Sequence, residues 1–154
     1  EPLTGGAKPE ALPDGLDTEA FFQPTIFAGV DNQAKIAQEE IFGPVLCVIP
    51  FDTDDEAVAI ANDSIYGLAG GVQSGDLDRA RSVAARMRTG TVWINDYHLI
   101  DPQRPFGGYK QSGIGRELGT FGFDAYRQVK HVHVNPETSG RDNHFHYPLL
   151  SPHI

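Results

Sequence analysis

Two stretches of this 154-residue chain concentrate the side chains able to do chemistry. They are Glu39-Glu40-Ile41-Phe42-Gly43-Pro44-Val45 and Pro105-Phe106-Gly107-Gly108-Tyr109-Lys110-Gln111-Ser112-Gly113-Ile114-Gly115-Arg116-Glu117-Leu118-Gly119. Glycines, a proline and charges beside aromatics make costly packing material, and backbone of that kind shapes a site. A carboxylate such as Glu40 accepts two hydroxyl donors at once, and charge-assisted bonds are the stronger kind. Taken alone, Glu39-Glu40 reads equally as a solvated acidic pair at the rim of a sheet. Phe106-Gly107-Gly108 reads as a tight turn plugged by an aromatic, and Glu117 as a partner of Arg116 or a helix-start carboxylate.

Other reactive residue types belong to the framework. Cys47 lies within Val45-Leu46-Cys47-Val48-Ile49, an apolar strand where a thiol packs as a small hydrophobe. His131/His133 and His144/His146 each have one residue between them, and no cysteine or carboxylate cluster completes a metal site. Asn62-Asp63-Ser64 matches the glycosylation triplet by chance, where a helix should end. Gly113 to Gly119 has the wrong spacing for a dinucleotide fingerprint.

The bulk properties narrow the class. Twelve Lys and Arg against twenty-one Asp and Glu give a net charge of −9. The basic residues form no stripe, which excludes a phosphate-backbone binder. No segment approaches the ~20 apolar residues of a membrane span. One cysteine permits no internal disulfide, and a cytoplasmic, reducing setting is the simpler expectation. Glu1-Pro2-Leu3-Thr4 shows neither an initiator methionine nor a signal pattern, and reads as the middle of something longer.

The elements that must position these residues follow from periodicity. Residues 1–25, rich in proline and glycine, read as an extended surface segment. Ile26–Val30 is a short strand, Asp31–Ala37 a turn or a single helical turn, and Val45–Phe51 a buried strand. Asp52–Asn62 is a helix capped by Asp52 or Thr53 and stopped by Gly67. Leu68–Gln73 is a second buried strand. Asp76–Arg88 is a helix with Leu77, Ala80, Val83, Ala84 and Met87 as its stripe and Gly90 as a left-handed stop. Thr91–Asn95 is a strand with Trp93 facing away from Val92 and Ile94. Strands alternating with helices predict an α/β fold with right-handed crossovers onto a parallel sheet. A loop runs from Asp96 to Gly115, then a helical turn around Leu118 to Tyr126. Gln128–Val134 alternates as a final strand, and residues 135–154 read as a surface arm.

In order, the two stretches resemble the C-terminal part of the NAD(P)-dependent aldehyde dehydrogenase superfamily, with the motif of its betaine-aldehyde-type members. The likeness runs from about Gly5 to about Val134. It includes Phe22-Gln23-Pro24-Thr25-Ile26-Phe27, Asn62-Asp63-Ser64-Ile65-Tyr66-Gly67-Leu68 and Gly90-Thr91-Val92-Trp93-Ile94-Asn95.

The resemblance implies roles. Glu40 accepts hydrogen bonds from the nicotinamide-ribose hydroxyls of NAD or NADP, and Phe42 packs against the nicotinamide. Phe106 lines the aldehyde pocket, with Tyr97, Leu99 and Ile100 adding walls and setting substrate preference. Glu117 takes part in a charge relay. Lys110 and Gly113 lie beside a structural potassium ion, contacted through backbone carbonyls because an ammonium cannot ligate a cation. It also implies the division 1–25 extended segment, 26–126 catalytic-domain part, 127–134 oligomerisation strand and 135–154 arm, with a homo-oligomer as the assembled state.

Family members use a cysteine thiolate to attack the aldehyde, pass hydride to NAD(P), and activate water with a glutamate. That nucleophile, that base and the dinucleotide-binding domain are expected in the remainder of the enzyme, ahead of residue 1. The chain alone is therefore expected to be inactive. The alternative is a non-catalytic assembly module that keeps the fold.

Overall fold

The computed structural model describes residues 1–134 and Pro136. The expected arm at 135–154, with His144 and His146, lies outside the described residues apart from Pro136. Strands β1 (Thr25–Ala28) and β2 (Val45–Val48) pair in parallel, Thr25 opposite Val45 and Ala28 opposite Val48. Strands β3 (Ala69–Val72) and β4 (Thr91–Ile94) form a second parallel pair, Ala69 opposite Thr91. Helix α1 (Lys35–Gln38) joins the first pair, α2 (Asp54–Asn62) links the pairs, and α3 (Leu77–Arg86) joins the second. Helix α4 (Gly119–Asp124) follows the long loop. The α/β alternation and parallel pairing are as expected, but the strands form two separate ribbons instead of one sheet.

Local chemistry explains the boundaries. Thr53, not Asp52, caps α2: its Oγ1 accepts from the Glu56 amide at 3.2 Å, while Glu56 accepts from the Asp52 amide at 2.8 Å. Asp76 caps α3 by accepting from the amides of Asp78 and Arg79, both at 3.0 Å, and substituting such a cap costs about 1 kcal/mol. Ala80 of that helix is fully buried where α3 packs on β3 and β4. Arg79 reaches across to Asp54 at 2.6 Å, and Arg86 pairs with Asp55, tying α3 to α2. The Arg79 guanidinium holds the Asp54 carboxyl below its ordinary range and is itself raised by it.

Three expectations need correction. Strand β2 is covered on one side only: Val45 and Cys47 are half-buried while Leu46 and Val48 are exposed, because a two-stranded ribbon has no second layer over that face. Gly67 does not stop α2, which ends at Asn62 with Asp63 as its cap. Gly90 is no left-handed stop. It is required because a Cβ there would lie 1.6 Å from the Gly107 carbonyl oxygen. Among the described residues no strand pairs with Gln128–Val134, and Val129, Val132 and Val134 are exposed.

The described core is thin for a chain of this length. Phe42, Ile114 and Tyr126 each stand more than nine-tenths exposed. No helix among the described residues is long and apolar enough to cross a membrane.

Candidate functional site

The two chemical stretches meet. Ala37, Gln38, Glu39 and Glu40 form one wall of an open groove of about 520 Å³, and Tyr66, Leu68, Gln111 and Ser112 form the other. The first wall is the end of α1 and the extended chain beyond it. Past Glu40 the backbone folds tightly, with the Gly43 amide donating to the Ile41 carbonyl at 2.9 Å and Val45 to Gly43 at 2.8 Å. These short loops turn Phe42 outward, where it is 95% exposed. Glu39 pairs with Lys35 across one helical turn at 3.6 Å. Among the described residues Glu40 makes no hydrogen bond or ion pair, so its carboxylate oxygens are open to a ligand on the groove side.

The opposite wall is built by close backbone contact. The amides of Phe106 and Glu117 exchange hydrogen bonds at 2.8 and 2.7 Å, which closes the loop between them. Tyr109 donates to the Gly67 carbonyl at 2.7 Å, Gln111 to Ile65 at 3.0 Å, and the Gly67 amide to Ser112 Oγ at 2.9 Å. Inside the loop the Arg116 guanidinium donates to the Gly108 carbonyl and lies 5.2 Å from the Tyr109 ring centre. Arg116 is thus spent on the loop, and Glu117 is not its ion-pair partner.

A second cleft, of about 170 Å³, opens where β4 meets the loop. Leu99, Ile100 and Phe106 line it with Thr91, Trp93, Asp101, Arg104 and Pro105. The structure therefore brings together three of the four expected substrate-wall residues. Tyr97 stays outside, 80% exposed, its ring 6.0 Å from that of Trp93. Trp93 fixes the wall: its indole donates to the Leu99 carbonyl at 2.8 Å. Sequence reasoning placed Trp93 on its strand and gave it no site role, although the chain's one tryptophan beside a predicted pocket loop is such a signal. Gln111 and Ser112 were likewise inside the quoted motif and unassigned.

Glu117 lines a third, broader cleft with Arg116, Leu118 and residues of α4. Lys110 is left-handed, φ 52°, and its ammonium donates to the carbonyls of Asn62 and Ser64 at 3.0 and 2.9 Å. Asn95, His98 and Leu118 also hold positive φ, at 55°, 58° and 61°. Such conformations cost on the order of 1–3 kcal/mol each and gather where function constrains the backbone. Here they flank the clefts. Cys47 sits apart on β2, its thiol toward the Ile36 carbonyl. His131 and His133 stack with ring centres 6.3 Å apart, and no group of three metal-ligating side chains exists among the described residues.

Comparison with known proteins gives one family. Residues 1–132 match the model of the aldehyde dehydrogenase family. A betaine aldehyde dehydrogenase of Bacillus subtilis (strain 168) is 53% identical over 132 residues, which is 86% of this chain and 26% of that protein. A 3-succinoylsemialdehyde-pyridine dehydrogenase of a Pseudomonas species is 57% identical over 120 residues, 78% of this chain and 25% of that one. The crystal structure of a Staphylococcus aureus betaine aldehyde dehydrogenase in complex with NAD+ superposes with a TM-score of 0.82 at 47% identity, covering 93% of this chain and 28% of that one. The chain thus spans about a quarter of the length of the curated relatives it matches.

Proposed function

The chain belongs to the aldehyde dehydrogenase family, and from that premise we propose that it is the C-terminal portion of an NAD(P)-dependent enzyme oxidising an aldehyde to its acid. One observation carries this reading: Glu40 reaches the groove unpaired, opposite the loop that also carries Phe106. A carboxylate without a cation partner is the right acceptor for a diol, since each oxygen accepts from one hydroxyl without competition. The solved relative in complex with NAD+ supports the choice of cofactor. When bound, that cofactor supplies the hydride acceptor.

The chain's own residues then bind and orient. Glu40 grips the nicotinamide ribose and Phe42 offers its exposed ring to the nicotinamide. Phe106, Leu99 and Ile100, braced by Trp93, exclude water around the aldehyde, and Tyr97 guards the entrance. Glu117 is proposed as a relay group in its own cleft. A potassium ion would be held through the carbonyls of Lys110 and Gly113, because the lysine ammonium is committed to the end of α2. Residues 127–134 are proposed as the strand through which a homo-oligomer assembles.

In this reading the attacking thiolate and the water-activating carboxylate come from outside these 154 residues. The isolated chain is therefore expected to show no NAD-dependent aldehyde oxidation, whereas the complete enzyme does. A structure of the complete enzyme with NAD+ tests the rest. The Glu40 carboxylate is expected within hydrogen-bond distance of the ribose hydroxyls; finding it turned to bulk water overturns the proposal.

A further inference from the structure

The turn at Asn62-Asp63-Ser64, dismissed as a chance triplet, is where both walls of the Glu40 groove are anchored. The last carbonyls of a helix have no partner within it and carry the negative end of its dipole. The Asp63 amide takes the carbonyls of Ala59 and Ile60, while that of Asn62, and those of Asp63 and Ser64 in the turn beyond α2, are taken by side chains from far along the chain. Lys110 donates its ammonium to the carbonyls of Asn62 and Ser64, at 3.0 and 2.9 Å. Gln38, two residues before Glu40, donates its side-chain amide to the Asp63 carbonyl at 2.9 Å. Asn32 adds a bond to the Asp63 carboxylate at 2.9 Å. The Asn62 side chain is spent as well, donating to the Arg86 carbonyl at 2.9 Å and accepting from the Arg88 amide at 2.7 Å. The turn itself is thereby fixed to the end of α3, and the Asn62 amide nitrogen is engaged within the fold.

The geometry points to Lys110 and Gln38 as positioning residues that hold the two walls of the cofactor groove at a set separation through this single turn. Lys110 holds the Gln111-Ser112 wall and Gln38 holds the Glu40 wall. Neither need touch the cofactor. The inference rests on the proposed cofactor role of the groove and adds what fixes its width. An ammonium suits the task because its three donors satisfy two carbonyls at once without a fixed plane. Holding Lys110 left-handed is the local strain that this bond offsets.

The test uses the complete enzyme, with Lys110→Met, Gln38→Leu, the double variant, Glu40→Gln and, as a stability control, Asp54→Asn. Lys110→Met is expected to raise KM and Kd for NAD+ roughly ten- to a hundred-fold, as misplacement of a binding group does, with KM for aldehyde unchanged. Gln38→Leu is expected to act in the same direction. Because a groove already slack has little more to lose, the double variant should weaken binding by less than the product of the two. Lys110→Arg, which keeps donors at the carbonyls, should recover part of the affinity. Asp54→Asn, which breaks an α2–α3 ion pair away from the groove, should lower Tm and leave KM for NAD+ alone.

Unchanged NAD+ affinity in Lys110→Met overturns the inference. So does a parallel rise in both KM values that merely tracks loss of Tm. If Glu40→Gln weakens NAD+ while Lys110→Met does not, only the positioning role falls. If Glu40→Gln has no effect, the cofactor reading itself falls.

Discussion

The Glu40 groove and the Trp93 cleft lie at two ends of one loop but are held differently. The groove is fastened by polar bonds spanning 25 to 48 residues, from Gln38 and Lys110 to the end of α2 and from Ser112 to Gly67. The cleft is braced by a short-range indole bond from β4 to the loop six residues on, and Tyr97 and Leu99 beside it are largely exposed. The proposed function accounts for the difference: a cofactor common to many substrates would need a fixed carboxylate, whereas a wall that sets aldehyde preference would be free to vary on a loop.

The largest effect is expected where the two regions share a support. Gly90→Ala drives a methyl into the Gly107 carbonyl, and backbone on backbone leaves no side chain to yield. A loss of about 3 kcal/mol or more is expected, read as a lower denaturant midpoint, and both sites should slacken together. If only one site changes, the shared-support view is wrong.

Trp93→Phe separates the regions. It removes the bond to the Leu99 carbonyl and is expected to cost about 1 kcal/mol. In the complete enzyme KM for aldehyde should rise several-fold with NAD+ affinity unchanged. An equal effect on NAD+ would mean the two sites are one.

The alternation of α/β elements and the α3 stripe were legible because the pattern is local: Asp76 caps, Leu77 and Ala80 recur, and Arg86 marks the last turn. The motifs around Glu40, Phe42 and Phe106 stood out because they are dense in residues of little packing use, and the roles proposed for these residues come from the family resemblance. What was not legible depends on distant partners. Gly90 reads as a helix stop in its own neighbourhood, and only Gly107, seventeen positions on, explains it. Asn62-Asp63-Ser64 reads as a helix end until Gln38 and Lys110 arrive at its carbonyls. Gln128–Val134 has the alternation of a strand, but pairing needs a neighbour that the described chain does not provide. Tyr97 follows Asn95 and precedes His98, both with positive φ, and its ring is 80% exposed, a placement that the sequence pattern does not specify.

The smallest effect should fall on neither site. Asp54 has its folded carboxyl lowered from 3.8, chiefly by the Arg79 hydrogen bond. A depressed acid stabilises above its unfolded value and loses that contribution as pH falls through the folded one. The Tm difference between wild type and Asp54→Asn should therefore be present near neutrality and narrow below about pH 4. The pair is exposed, so the difference stays small. A gap that widens in acid would reverse the assignment.

The central claim is that Glu40 holds the cofactor's sugar. Titrating NAD+ into the complete enzyme and its Glu40→Ala variant tests it most directly, with protein fluorescence as the signal. Loss of a charge-assisted bond pair is expected to weaken Kd by roughly ten- to a hundred-fold while Tm stays near that of the parent. Equal affinity in the two proteins would contradict the account.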